Sequence, residues 1–535
     1  MGKISLLDCT VRDGGYLNDW NYSQSVLVET VQRLINAGIE YVEVGFLDDR
    51  RPFDINRSIF PNTKCIKDIY GAIDKKNTKL VAMIDYGTCD ISNLQKREET
   101  MIDGIRVIFK KEKMFKAIPF CKQVKDLGYE VFTQLVSTTV YEEKDYDNIA
   151  SLVNELMPHA LSIVDTYGVM DNKELDYIYN QLDSRLDKRI SLGFHAHNNV
   201  QLGYSNAISF IEKNTAEGRD LLADGTLHGM GKGAGNAPIE TLAFYCNKYY
   251  GTHYDINQLL EAIDSNILIL FGKNNWGYSM KFFLASTNRV HPNYLSDYIS
   301  SSYLSVSNIN DALKGIEEEK KLYYDKGESA RALELIKDRI ASKSNEDMAK
   351  IAKNINGKPV LLLGPGETLT GERNRIEKYI KDNNPVVISV NFIPNDFKVD
   401  YIFVTNSRRL CSISSNPKSN SVEMIATSNL SPITKDFDYV VDYLSLIDNS
   451  AARDSAIVMS LRMLSRFDSP KSVALAGFDG YKSFFEENFV SISSSYGWKE
   501  PYPGFLNSYI RGEIENLSHK MDIKFVTTSM FEEED

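Results

Sequence analysis

Cysteine is scarce in this chain and unpatterned. The six residues, Cys9, Cys65, Cys89, Cys121, Cys246 and Cys411, show no Cys-x-x-Cys spacing. That excludes a cysteine-built metal site and a disulfide framework, and points to scattered thiols in a reducing compartment. Long apolar runs are missing as well; none approaches the roughly 18–20 residues that a membrane helix needs. No charged-then-apolar leader precedes the first strand-like run, KISLLDCT, so a cytoplasmic location is expected. Positive charge is in deficit, the net charge being −12, which argues against a general binder of nucleic acid or anionic membrane. Small anionic substrates stay compatible, because they need only a local cationic site. There is no Gly-x-Gly-x-x-Gly fingerprint, no P-loop, no internal repeat and no low-complexity tract.

What is present is the composition of a folded protein: 43% hydrophobic and 25% charged over 535 residues, a length that suits two or three domains. From the N-terminus to about residue 245, short apolar runs alternate with amphipathic segments. The runs are KISLLDCT, EYVEVGF, KLVAMIDY, DGIRVIF, EVFTQLVST, ALSIVDTYG, RISLGFHAHN and DLLADGTLHGMG. Helical patterning lies between them, as in SQSVLVETVQRLINAG, where Gly38 suits a helix stop. Strands alternating with helices imply parallel pairing. Eight units in about 240 residues match a (β/α)8 TIM barrel, with a doubly wound open sheet as the alternative. The barrel is preferred because polar residues and glycines gather at the strand C-termini. Residues 1–250 are assigned to it, 251–352 to a helical extension and connector, and 353–535 to a Rossmann-like α/β domain that restarts at NGKPVLLLGPGETL.

Chemistry gathers around His195-Ala196-His197. Residues i and i+2 of a strand face the same side, so the two imidazoles point together. Such a pair is half of a metal site or a plain structural pair, depending on what joins it. Asp13, at the end of the first strand, would supply a carboxylate oxygen and leave other positions on a divalent cation free. Arg12 beside it suits a carboxylate or enolate oxygen; the same two residues would also make a surface ion pair near a turn. Gly14 and Gly15 suit a tight turn and close approach of a ligand. The glycine-rich loop GMGKGAGN after the eighth strand ends in Asn236, a neutral oxygen for the metal or its surroundings, or it bridges strand and helix for packing alone.

In this order, LDCTVRDGG, YVEVGF, IVDTYGVM, HAHNNVQLGYSNAI and DGTLHGMGKGAGNAPIE resemble the metal-dependent aldolases, lyases and synthases built on a TIM barrel, the DRE-TIM metallolyases. Within them the chain is most similar to the 4-hydroxy-2-oxovalerate aldolases, chiefly through GMGKGAGNAP and the spacing of HAHNN. The resemblance covers the barrel and, more loosely, the chain to about residue 300. It implies a carbon–carbon lyase that joins or separates pyruvate, as its enolate, and an aldehyde. Asp13, His195 and His197 would be the metal ligands, Asn236 would lie near the metal, and Arg12 would stabilise the enolate. The metal would be Mn²⁺ first, with Mg²⁺, Co²⁺ and Zn²⁺ as alternatives. Tyr278 matches a tyrosine lent to the site by the helical region. An acyl-CoA-dependent synthase on the same frame, and a catalytically altered barrel serving the C-terminal domain, are the competing readings.

One departure stands out. The family's catalytic histidine, two residues after Arg-Asp-Gly, is replaced by Tyr16, a poor base near neutrality unless its pKa is lowered. His228 shares strand parity with Asp224 and Thr226, and is the expected replacement base, with Tyr16 orienting substrate. In the C-terminal domain, Gly364 and Gly366 open a strand–loop–helix that suits either a phosphate or a tight turn before a packed helix, and Gly477 and Asp479 end a later strand. The pattern is distantly similar to nucleotide-sugar-handling domains, which implies a nucleotide or nucleotide sugar as ligand there. The remaining partners expected are a 2-oxo acid, an aldehyde and a further copy of the chain in a homo-oligomer.

Overall fold

The eight apolar runs become eight parallel strands: β1 (Ile4–Asp8), β2 (Tyr41–Leu47), β3 (Lys79–Asp85), β4 (Gly104–Phe109), β5 (Glu130–Leu135), β6 (Ala160–Asp165), β7 (Ser191–Ala196) and β8 (Leu221–Gly225). Each pairs with the next, and β1 pairs with both β8 and β2, so the sheet closes on itself into a barrel. A closed barrel wrapped in helices buries both faces of every strand, which is why the runs read as continuously apolar instead of alternating. The computed structural model describes residues 2–213, 218–301, 303–448, 455–468, 472–481, 485–486, 496–497 and 502–532.

The helices follow the sequence periodicity. Gln24–Asn36 buries Leu27, Val31, Leu34 and Ile35, one stripe at helical spacing, each residue contributing about 1.5–3 kcal/mol by leaving water. It stops where Gly38 takes φ +86°. The Gly38 and Ile39 amides then donate back to Ile35 O and Leu34 O at 3.0 and 3.2 Å, a C-terminal cap that needs glycine's left-handed backbone. The β3–β4 connection departs from the pattern: only two short 3₁₀ turns, Ile91–Asn93 and Arg97–Glu99, occupy it. The segment YGTCDISNLQKREETMID has no apolar stripe with which to seat a helix.

The chain divides into two compact units, Met1–Pro292 and Asn293–Asp535. The second begins with short helices and a 30-residue helix, Lys326–Ile355. It then lays down seven parallel strands: β9 (Val360–Leu363), β10 (Val386–Val390), β11 (Tyr401–Val404), β12 (Glu423–Thr427), β13 (Tyr439–Val441), β14 (Ser472–Ala476) and β15 (Asp522–Phe525). Their order is β13-β12-β11-β10-β9-β14-β15. Val360 and Leu362 enter one apolar cluster, Leu361 and Leu363 another, so both faces are covered, as in a doubly wound fold. The strand order reverses between β9 and β14. No helix among the described residues is long and apolar enough to cross a membrane.

Candidate active site

The C-terminal ends of β1, β7 and β8 meet at one mouth of the barrel. Asp13 closes a four-residue helix, Thr10–Asp13, that begins as soon as β1 ends. Here the expected tight turn is replaced by helix. Gly14 has φ −60°, so neither it nor Gly15 is needed for a left-handed turn. Crowding selects them instead. A Cβ on Gly14 would lie 2.6 Å from Thr10 O and 2.8 Å from Met230 Sδ, and one on Gly15 only 2.1 Å from the Trp20 ring. The Trp20 indole is fixed in turn by donating to Arg12 O at 2.9 Å.

His195 and His197 point the same way from the end of β7. Each Nε2 lies 3.8 Å from the same Asp13 oxygen, Oδ2, and the three ligand atoms fall within 4.8 Å of one another. Their tautomers follow from what the other ring nitrogen meets. His195 Nδ1 faces Asp224 Oδ2 at 2.9 Å, and His197 Nδ1 faces Asp165 O at 2.8 Å. Both partners are acceptors, so each Nδ1 carries the proton and each Nε2 keeps its lone pair. Burial, then the neighbouring His195, lowers His197 to a pKa of about 4, which leaves it neutral near pH 7. Burial works against the Asp13 carboxylate, but Arg12 foremost, then His197, His195 and the Asn236 amide, hold it well below the usual carboxylate range.

Asn236 arrives on the loop after β8, which is pinned to the end of β7: the Asn198 amide donates to Gly235 O at 2.7 Å, and the Ala237 amide to Ala196 O at 3.2 Å. Its Nδ2 donates to Asp13 Oδ2, and its buried Oδ1 has no hydrogen-bond partner. Two imidazole lone pairs, an anionic carboxylate and an unpartnered buried carbonyl oxygen around one point are a donor set that fits a divalent cation.

Beneath this trio runs a circuit of buried charge whose lower members went unread in the sequence. Arg12 Nη1 donates to Asp13 Oδ1 at 2.8 Å and its Nε to Glu43 Oε2 at 2.6 Å. Glu43 Oε2 lies 3.1 Å from Arg106 Nη1. Arg106 Nη2 donates to Asp224 Oδ2 and, at 3.1 Å, to Gln134 Oε1. Asp224 holds His195, which faces back towards Asp13. Glu43, Arg106 and Asp224 are 0% accessible at their side chains, so each depends on its partners. Each is a lone charge inside an apolar strand run (YVEVGF, GIRVIF, LLADG), and that was the available signal. Arg12 Nη2 is left without a partner among the described residues. Cys9 Sγ lies 3.9 Å from His195 Nδ1 and donates to Gly225 O; burial pushes this thiol well above its usual pKa, which makes it packing beneath the imidazole.

Tyr16 sits over the mouth, its ring edge-on to Trp20 at 5.0 Å. The residue is 46% accessible, but loss of water around its phenol oxygen raises its pKa above the usual phenol value, with Arg12 opposing, so it keeps its proton near neutrality. His228 is not brought to the trio. The parity argument fails because β8 ends at Gly225 and the chain turns through a 3₁₀ turn in which His228 has φ 53°. Its exposed ring packs instead against Phe271 and Trp276, at 5.4 and 6.0 Å. Tyr278 is 61% accessible, and like His228 it makes no hydrogen bond, ion pair or ring contact with Arg12, Asp13, His195, His197 or Asn236.

In the second unit, Gly364-Pro365-Gly366 and Gly477-Phe478-Asp479 lie side by side where the strand order reverses. The loop amides are already used: Gly366 N donates to Gly477 O at 2.8 Å, and Thr368 N to Asp479 Oδ2 at 3.0 Å. A Cβ on Gly366 would come within 2.5 Å of the Asp479 carboxylate. These glycines therefore serve the close approach of two loops, the packing alternative.

Residues 3–265 match the family model described as HMGL-like. Among curated proteins, the chain is 26% identical over 296 residues to oxaloacetate decarboxylase of Mycobacterium tuberculosis, 52% of this chain and 81% of that protein. It is 26% identical over 258 residues to 4-hydroxy-2-oxovalerate aldolase of Thermomicrobium roseum, covering 48% and 70%. Among solved structures, the N-terminal domain of a Bacteroides vulgatus protein described as an aldolase aligns with 56% of this chain and 97% of its own, at 24% identity and a TM-score of 0.46. Residues 3–265 therefore form an HMGL-like domain, of the barrel aldolase and lyase kind that the motifs of this stretch resemble.

Proposed function

We propose that this carbon–carbon lyase acts on a 2-oxo acid at a divalent metal ion held by Asp13, His195 and His197, with Asn236 alongside. The bond broken or formed joins a pyruvate unit to an aldehyde, as in a 4-hydroxy-2-oxo acid. One observation carries the reading: two histidine Nε2 atoms, their tautomers set by Asp224 and by Asp165 O, face a single Asp13 oxygen. When bound, the ion supplies Lewis-acid polarisation of the ketone. The donor set suits Mn²⁺, Mg²⁺, Co²⁺ or Zn²⁺, and Mn²⁺ is the first to test.

The chain's own residues do the rest. Arg12 is fixed on two sides by Asp13 and Glu43, so its unpartnered Nη2 is held ready for the oxygen that becomes anionic as the bond breaks. Such a pre-oriented donor is worth about 3–4 kcal/mol in comparable sites. Tyr16, protonated, orients the substrate hydroxyl by hydrogen bonding and does not remove its proton, which passes to solvent water as the carbonyl of the aldehyde forms. The test is metal analysis of the purified protein, followed by a coupled assay of pyruvate release across a panel of 4-hydroxy-2-oxo acids. Release should require the metal, vanish with chelator and return with Mn²⁺. A metal-loaded protein that releases no pyruvate from any of the panel, or a rate indifferent to chelation, rejects the reading.

A further inference from the structure

The loop after β8 carries one charged residue that neither the metal donors nor the buried circuit uses. Lys232 stands between two pinned glycines. A Cβ on Gly231 would lie 2.2 Å from Asn236 Nδ2 and 2.8 Å from Asp13 Oδ2; one on Gly233 would lie 2.6 Å from Asn199 Oδ1. Gly233 has φ +71°, and the next amide, Ala234 N, donates to Asn199 Oδ1 at 2.7 Å. The backbone of Lys232 is thus fixed directly above the Asp13 carboxylate. Its Nζ lies 5.5 Å from the centre of the Tyr16 ring, within electrostatic reach of Asp13, His197 and His291. Among the described residues no carboxylate is within ion-pair distance of Nζ, and no hydrogen bond satisfies it.

An ammonium held there without a counter-ion is costly. Burial lowers its pKa, and Asp13 only partly opposes that. The charges of the site say what is missing. Arg12 and Arg106 face Asp13, Glu43 and Asp224, an excess of one negative charge. His195 and His197, whose Nδ1 atoms face Asp224 and Asp165 O and whose Nε2 lone pairs are turned to the ion, add no charge to this sum. A divalent ion turns the excess into one positive charge, and the carboxylate of a 2-oxo acid cancels it. Among the described residues whose charge bears on Asp13, Lys232 is then the cation still uncompensated. A monoanionic substrate leaves it so; a dianionic one does not. A single ammonium matches a second carboxylate, whereas a phosphate dianion would call for a second cation.

We infer that Lys232 receives a second carboxylate at the far end of the substrate, so that the barrel's substrate class is the 2-oxo dicarboxylates and not 2-oxo acids that end in a neutral chain. This rests on the barrel binding a 2-oxo acid at all. The test uses a matched pair of five-carbon ligands, 2-oxoglutarate and 2-oxopentanoate, titrated calorimetrically into the full chain loaded with Mn²⁺. The native protein should bind 2-oxoglutarate about tenfold or more tightly than 2-oxopentanoate, the scale of one charge-assisted hydrogen bond. Lys232→Met should erase the difference by weakening 2-oxoglutarate alone, and Lys232→Arg should keep part of it. Equal affinities in the native protein, a comparison that needs no variant to fold, overturn the inference, as does a preference that survives in Lys232→Met. If Mn²⁺ binds but neither ligand does, the 2-oxo acid reading itself falls and takes this one with it.

Discussion

At the C-terminal ends of the barrel strands, side chains from distant parts of the sequence carry charge, are buried, and reach across strands to one another. At the ends of β9 to β14 in the second unit the side chains are short, mostly uncharged, and bond to one another or to loop backbone. Asn391 and Thr405 exchange two hydrogen bonds, at 3.0 and 3.1 Å. Thr427 Oγ1 donates to Asn429 Oδ1 at 2.6 Å, and Asp479 is taken up by Thr368. Both sets of tips are rich in glycine and polar residues, so that richness does not itself mark a site. What marks one is a group held in place with its bonding capacity unspent: two imidazole lone pairs, Asn236 Oδ1, Arg12 Nη2 and the Lys232 ammonium in the barrel.

Substitutions can break or sharpen this contrast. The largest effect is expected at the barrel mouth: Asp13→Ala should lose the bound metal, measured by plasma mass spectrometry, and lower kcat/KM by on the order of 10³ or more. A purified variant that retains one equivalent of metal would show that the mouth is not organised around Asp13. One step below, Asp224→Asn keeps the side chain's size but removes the charge that fixes the His195 tautomer. Metal affinity should fall by roughly 10–100-fold, read by competition with a chelating dye, and an unchanged affinity would make the buried circuit structural only.

A third prediction concerns stability and pH. Asp8, wholly buried at the tip of β1, has its pKa raised from 3.8 to about 7, chiefly by burial and against hydrogen bonds from Thr10. Between those two values the unfolded chain has already released a proton that the folded chain still holds. The native protein therefore loses stability as pH rises from about 4 to about 7, and the loss is complete above that. Asp8→Asn should remove this dependence: the variant should gain about 4 kcal/mol over the native protein at pH 8, with the gap closing by pH 4. A gap in Tm that does not change with pH would contradict it.

Smaller effects belong to the second unit and to the barrel rim. Asp479→Ala should destabilise the chain by about 1–2 kcal/mol, the scale of stranding a hydrogen-bonded loop, while pyruvate release stays at the native rate; a fall in that rate would mean that the second unit's tips are not self-contained. His228→Ala should leave the rate and its pH profile within about twofold. A lost acidic limb in that profile would return His228 to the chemistry as its base.

The sequence makes the scaffold legible and the chemistry only partly so. All eight barrel strands stand out because burial on both faces leaves uninterrupted apolar runs, a signal local to a few residues. His195, His197 and Asp13, which the fold brings together, are legible because the ligation proposed for them demands particular side chains at a strand end. Glu43, Arg106 and Asp224 are not read off so easily, since what gives them meaning is closure of the barrel, which brings positions more than a hundred residues apart within bonding distance. The misreadings share one cause. Gly14 and Gly15 suggested a turn because glycine is the default turn residue, yet the demand on them comes from the Trp20 ring and Thr10 O. His228 inherited a strand's parity beyond the point where the strand ends.

The circuit from Asp13 through Arg12, Glu43, Arg106 and Asp224 to His195 is held by hydrogen bonds and, between Glu43 and Arg106, by an ion pair; one gap is left open, the 3.8 Å between His195 Nε2 and Asp13 Oδ2. All its joins are made by the chain itself, so the arrangement is complete once the barrel has closed and waits on no ion. On the proposed function, maturation is then two separable events: the barrel closes without the ion, and the cation is the last part installed. Chelation should accordingly yield a folded, inactive protein that is recharged within the time of mixing, unlike small metal-folded domains, whose structure disappears with the ion.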